Sequence, residues 1–185
     1  MKGRTVIVIL LLIFSCSEIS FAQSNLSSGI TYDAKELKPT GCELNSLYLD
    51  GANQEAEVNL QDSGRLQTII LIARPGIKDR KKGLNTLIER RLYTTRAYLT
   101  DYLRKQPKEA VVTAQAPNNG SEYGVIEIYV SGVLNPNLLV IYPNAGIGVG
   151  SCESEDSDDA EGRTKRALLY PWLYNFRTKK NSNKK

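Results

Sequence analysis

Leu84-Asn85-Thr86-Leu87-Ile88-Glu89-Arg90-Arg91-Leu92-Tyr93-Thr94-Thr95-Arg96-Ala97-Tyr98-Leu99-Thr100-Asp101-Tyr102-Leu103 is the stretch that decides the fold. Leu84, Leu87, Ile88, Leu92, Thr95, Leu99, Tyr102 and Leu103 recur at the period of an α-helix with one buried face. Ahead of it runs Leu66-Gln67-Thr68-Ile69-Ile70-Leu71-Ile72-Ala73, too continuously apolar for an edge strand. Behind it come Ala110-Val111-Val112-Thr113 and Gly124-Val125-Ile126-Glu127-Ile128-Tyr129-Val130. Strand, helix, strand, strand in that order predicts an α/β unit with the helix lying across a sheet.

Working outward, Thr40-Gly41-Cys42-Glu43 matches a capping box, and Leu44, Leu47, Tyr48 and Ala52 carry helical spacing on to about Ala56. The predicted core is therefore a two-layer α/β sandwich, helix-strand-helix-strand-strand, with its helices on a mixed sheet. It occupies residues 40–142, and Leu138-Leu139-Val140-Ile141-Tyr142 is a candidate for one further strand. Residues 23–39 are polar and read as a linker. Residues 1–22 read as a secretory signal: Lys2 and Arg4, an apolar stretch from Val6 to Phe14, and Ser20-Phe21-Ala22 before the cut. Ile13-Phe14-Ser15-Cys16 offers the alternative of a lipoprotein box with lipid on Cys16. Phe14 fits that box poorly, so export without an anchor is the expectation.

Without Lys2, Arg4 and Glu18 of the signal, the 24 basic and 20 acidic residues fall to 22 and 19. So small an excess implies no nucleic-acid partner. The chain has no histidine, which excludes Ser-His-Asp and Cys-His catalysis and removes the commonest metal ligand. A hydrolase would need carboxylates such as Glu122 and Glu127, but nothing in the sequence pairs them. The expectation is a non-enzymatic protein with no cofactor, no catalytic residues and no metal site. Two cysteines remain after the signal, Cys42 and Cys152, and an isolated pair in an exported protein most often bridges. Closing a loop of about 110 residues gives a chain-entropy stabilisation of roughly 4 to 5 kcal/mol.

Between the first strand and the helix, Arg74-Pro75-Gly76-Ile77-Lys78-Asp79-Arg80-Lys81-Lys82-Gly83 is a basic turn with one acid, Asp79. It lies at the carboxyl end of a strand, where open α/β sheets commonly bind ligands, yet it lacks a glycine-rich phosphate fingerprint. Arg91 is three residues after Ile88 and four before Thr95, on or beside the buried face, so it must find an acceptor or reach solvent.

Asn85-Thr86-Leu87-Ile88-Glu89-Arg90-Arg91-Leu92-Tyr93-Thr94-Thr95-Arg96-Ala97-Tyr98-Leu99 resembles the Asn-x-x-Leu-Ser-x-x-Arg-Ala stretch, followed by Val and Tyr-Leu, of OmpA-like peptidoglycan-associating domains. Gly124-Val125-Ile126-Glu127-Ile128 resembles their closing Arg-Arg-Val-Glu-Ile strand, and the likeness covers about residues 42–131. A closer likeness is to exported bacterial proteins with a Cys-Glu-x-Asn helix, an Ile-Ala-Arg-x-Gly strand end and an Arg-Leu-x-x-x-Arg-x-Tyr-Leu helix; it implies no activity. In the OmpA-like family a helix arginine and a loop aspartate grip the diaminopimelate of the peptidoglycan stem peptide. The resemblance places Arg91 at that arginine, in a stretch opened by Asn85 at one residue less than the family spacing. The family's Thr-Asp has no aligned counterpart: Arg74-Pro75 occupies its place and Asp79 follows, while Tyr123-Gly124 stands where the family has its arginine pair. What it implies is a periplasmic or envelope protein binding a stem peptide, or another anionic ligand, through Arg91, Asp79, Arg74 and Asn85. The alternative is a protein-interaction scaffold on the same fold with the ligand site lost.

Residues 143–185 read as a glycine-rich linker, an acidic block from Glu153 to Glu161, and a basic tail with Tyr170, Trp172, Tyr174 and Phe176 interleaved. Their composition predicts disorder, with contact to an anionic membrane as a second use of the tail.

Overall fold

The computed structural model describes residues 32–150, 152 and 160–173. The predicted signal, the Cys16 alternative, most of the acidic block and the end of the basic tail lie outside the described residues.

The fold is α/β, with helices on a mixed open sheet. Helix α1 spans Cys42–Ser63, strand β1 Ile69–Arg74, helix α2 Leu84–Ala97, β2 Val111–Gln115, β3 Gly124–Val130, β4 Val133–Leu134, β5 Leu139–Ile141 and helix α3 Ala160–Leu169. Strand β1 is central. It pairs parallel with β2 (Ile69 opposite Val111) and antiparallel with β3 (Leu71 opposite Ile128). On its far side β3 pairs antiparallel with both β4 and β5.

Alternation along the strands sorts the side chains. Ile69, Leu71 and Ala73 of β1 and Ile126, Ile128 and Val130 of β3 meet Leu49, Ala52 and Ala56 of α1 and Ile88, Leu92 and Leu99 after them. A fully buried Leu or Ile contributes roughly 1.5–3 kcal/mol, so this face holds most of the core. On the opposite face Val125, Leu134, Leu138 and Val140 form a smaller cluster, onto which Tyr32 and Leu37 pack. The described end of the predicted linker, from Tyr32 on, therefore packs against the sheet.

The decisive helix has an irregular end. After Ala97 it widens into a π-turn over Tyr98–Tyr102, and Arg104 then turns the chain at φ 55°. Helix α1 outruns its expected end near Ala56 and stops at Ser63, where Gly64 takes the left-handed conformation and its N–H reaches Leu60 O at 2.8 Å. The predicted capping box is absent. Gly41 is the N-cap, and the Thr40 hydroxyl instead bonds Asn45 and the backbone of Val140, tying the helix start to β5.

Disorder from 143 to 185 does not describe residues 143–150 and 160–173. Ile147 and Val149 are core residues, and Leu169 at the end of α3 is buried with them. Thr94 donates to Leu169 O, and the Tyr170 hydroxyl accepts from Val149 N and donates to Ile147 O. The bridge exists: Cys42 and Cys152 form a disulfide with Cα atoms 5.6 Å apart, pinning this segment to the first turn of α1.

Candidate functional site

Arg91 and Asp79, 12 residues apart in sequence, meet at the carboxyl end of β1. The β1–α2 loop turns at Gly76, whose missing Cβ would lie 2.5 Å from the backbone of Tyr123, so only glycine lets the loop pass this close to β3. Past that turn Asp79 points inward. Its Oδ2 accepts from Gly76 N at 2.8 Å and from Arg91 Nη1 at 2.7 Å. Its Oδ1 accepts from Arg91 Nη2 at 3.0 Å and from Asn144 N at 2.7 Å.

The guanidinium is held from the other side by the turn after β5. Arg91 Nε donates to Ala145 O at 2.9 Å and Nη2 to Tyr142 O at 3.2 Å. Four of the five N–H groups of a guanidinium are thus taken by protein acceptors. The two side chains are 1% and 0% exposed, and Arg91 is the bulkiest fully buried side chain among the described residues. Burial by itself would raise the Asp79 carboxyl. The hydrogen bonds from Arg91, Asn144 and Gly76, together with the Arg91 charge, outweigh it and hold that carboxyl below its ordinary value.

Gly124 makes the room. A Cβ there would fall onto Arg91 Nη1 and within 2.8 Å of its Cζ. Asn144 sits at φ 60°, a conformation asparagine tolerates, and its side-chain oxygen accepts from Arg80 N at 2.7 Å. Sequence reasoning missed Gly124, Tyr142, Asn144 and Ala145. Only Pro143-Asn144-Ala145-Gly146 carried a signal, as a turn.

The other two expected residues are elsewhere. Arg74 lies on the opposite face of the sheet, in line with Ile70 and Ile72. Its Nε donates to Glu127 at 2.7 Å and its Nη1 to Pro117 O at 3.0 Å. Glu127 also accepts from the hydroxyls of Tyr32 and Tyr129, and Asn119 donates to the Tyr32 oxygen. Burial, and then the bond to Glu127, push the Tyr32 hydroxyl well above its usual pKa. Asn85 is exposed in the first turn of α2 and is not among the groups that bond Arg91 or Asp79. Glu122 pairs with exposed Lys78, apart from Glu127. The structure thus joins Arg91 to Asp79 and separates both from Arg74.

Among the described residues no group of three or more Cys, Asp and Glu side chains is placed to hold a metal ion, and no helix is long and apolar enough to cross a membrane. Compared with protein-family models, with curated proteins and with solved structures, the chain matches none. The OmpA-like resemblance therefore rests on the residues quoted above.

Proposed function

We propose that this chain is an exported, non-enzymatic protein of the cell envelope that acts as a protein-interaction scaffold. On this reading the helix and closing-strand sequence resembles that of a peptidoglycan-binding domain, and the arginine–aspartate pair is an internal clamp. One observation carries the proposal: the Arg91 fork, which would have to face a stem-peptide carboxylate, is filled by Asp79 and sealed by residues 142–145. A ligand carboxylate would have to displace a buried, fully hydrogen-bonded partner, which costs several kcal/mol before any contact is made.

Export is supported by the signal-like start of the sequence and by the Cys42–Cys152 disulfide, which suits an oxidising compartment. The lack of histidine, and carboxylates already committed to Arg74, Lys78 and Arg91, favour a non-enzymatic role.

Co-sedimentation of the purified protein with peptidoglycan sacculi is the test, with Arg91→Lys alongside. The scaffold reading expects both proteins to stay in the supernatant. Retention of the wild type, lost in a folded Arg91→Lys protein, would restore the peptidoglycan-binding reading.

A further inference from the structure

The two edges of the sheet are finished differently. At one, β4 is only two residues long, and Val140 of β5 beside it has both backbone groups taken. Thr40 N donates to the Val140 carbonyl at 2.8 Å, and Val140 N donates to the Thr40 hydroxyl at 3.1 Å. At the other edge stands β2, which pairs only with β1. In a parallel pair alternate residues turn their backbone groups towards the partner strand. Ala116 N bonds Ala73 O at 3.0 Å, so Val112 and Ala114 face β1 while Val111, Thr113 and Gln115 face away. The Val111 N–H closes back onto Lys108 O. Among the described residues nothing bonds the Val111 carbonyl, or the N–H and carbonyl of Thr113 and Gln115.

An open edge is a template for another strand, and soluble chains usually blunt it with lysine, proline or a bulge. Residues 110–121 carry no charge, and Pro117 comes only after β2 has ended. Val112, Thr113, Ala114 and Gln115 are all exposed, Val112 by 47%. The edge is also self-complementary. Two copies of β2 set antiparallel about Thr113 would exchange the Thr113 N–H and carbonyl across the axis. Each Gln115 N–H would reach the other copy's Val111 carbonyl, and Pro117, which has no N–H, ends the ladder there. Val112 of each copy would lie opposite Ala114 of the other. With half-buried Ile70 and Ile72, their neighbours on β1, they would make one continuous apolar row. Lys108 and Glu109 would meet Asn118 and Pro117, so no like charges are opposed.

We propose that β2 is an interaction edge whose occupant is β2 of a second copy of this chain, joined antiparallel about a two-fold axis at Thr113. An unrelated extended peptide would meet the backbone groups of one edge, whereas a second copy closes two open edges with one contact. The inference stands on the backbone of β2 and does not depend on the proposed function.

Sedimentation velocity of the purified, disulfide-closed full chain tests it, over a concentration series reaching roughly 0.5 mM because contacts this small give weak dimers. The expected result is a monomer–dimer equilibrium. Thr113→Lys and, separately, Thr113→Glu set like charges directly across the axis and should each raise the dimer dissociation constant at least about fivefold. Mixing the two variants in equal amounts should restore association, because the opposed charges then attract. Thr113→Pro removes an N–H that β1 does not use, so it should keep the circular dichroism spectrum of the wild type and abolish the dimer. A wild type that stays monomeric throughout, association unmoved by Thr113→Lys and Thr113→Pro, or a mixture of Thr113→Lys and Thr113→Glu no tighter than either alone would each overturn the proposal.

Discussion

Two arginine–carboxylate pairs flank the carboxyl end of β1, one on each face of the sheet, and they differ in what surrounds them. Arg91–Asp79 is closed on every side: the loop after β1, the turn after β5 and the start of β3 leave its side chains 1% and 0% exposed. Arg74–Glu127 has a buried acid, 4% exposed, but an arginine that is 24% exposed at the rim. The chemistry is the same and the consequence is opposite. A buried, paired guanidinium organises the three segments that hold it, whereas a rim guanidinium keeps a side free for water. Charge pattern alone therefore does not separate the two arginines, because it cannot say which one the loops enclose.

Breaking each pair should expose this difference. Arg91→Ala leaves Asp79 buried without its cation, and the loss should be about 3–5 kcal/mol in a urea unfolding series. Gly124→Ala keeps both charges but drives a methyl group into the guanidinium. About 1–3 kcal/mol is expected from that overpacking, and it attacks only the sealed pair. Arg74→Ala also leaves a buried acid, Glu127, but the arginine stands at the rim, where water can take its place, so about 1–2 kcal/mol is expected. A loss for Arg74→Ala equal to that for Arg91→Ala would erase the distinction.

Acid sharpens the comparison with the smallest effect. The Asp79 carboxyl lies below its ordinary value of 3.8 in the folded protein, so its contribution is complete above that pH. As pH falls below 3.8, the unfolded chain takes up the proton first, and the contribution is lost progressively until the folded value is passed. Asp101, held low by its hydrogen bond from Lys108, slopes the same way in every variant. Stability measured from pH 5 to pH 2 should therefore fall more steeply in the wild type than in Asp79→Asn. Parallel curves would mean that Asp79 is not held ionised by its partners.

Much of the scaffold was legible, for a physical reason. Strand β1 and helix α2 bury one face each, and burial leaves a period in the sequence: Ile69, Leu71 and Ala73 on one, Ile88, Leu92 and Thr95 on the other. The same period put Arg91 on the inner face and so demanded an acceptor. The acceptor itself was not legible. Whether Asp79 turns inward depends on the path of the loop through Gly76, and the carbonyls of Tyr142 and Ala145 are backbone groups that any residue supplies. Gly124 is visible only as a glycine opening a strand until the guanidinium beside it is seen. Helix α3 was hidden by polarity: it docks through Leu169 and the neighbouring Tyr170, too little apolar surface to leave a period. Thr40 shows the reverse error, a correct local cap pattern overruled when β5 claimed the hydroxyl.

The central claim is that Asp79 is the partner Arg91 was built to meet. A double-mutant cycle of Arg91→Ala, Asp79→Ala and the pair, read by urea unfolding, measures that directly. The account predicts strong coupling, with the double variant less destabilised than the two single losses added together by about 2 kcal/mol or more. Losses that add to within about 0.5 kcal/mol would contradict it, because independent sites behave that way.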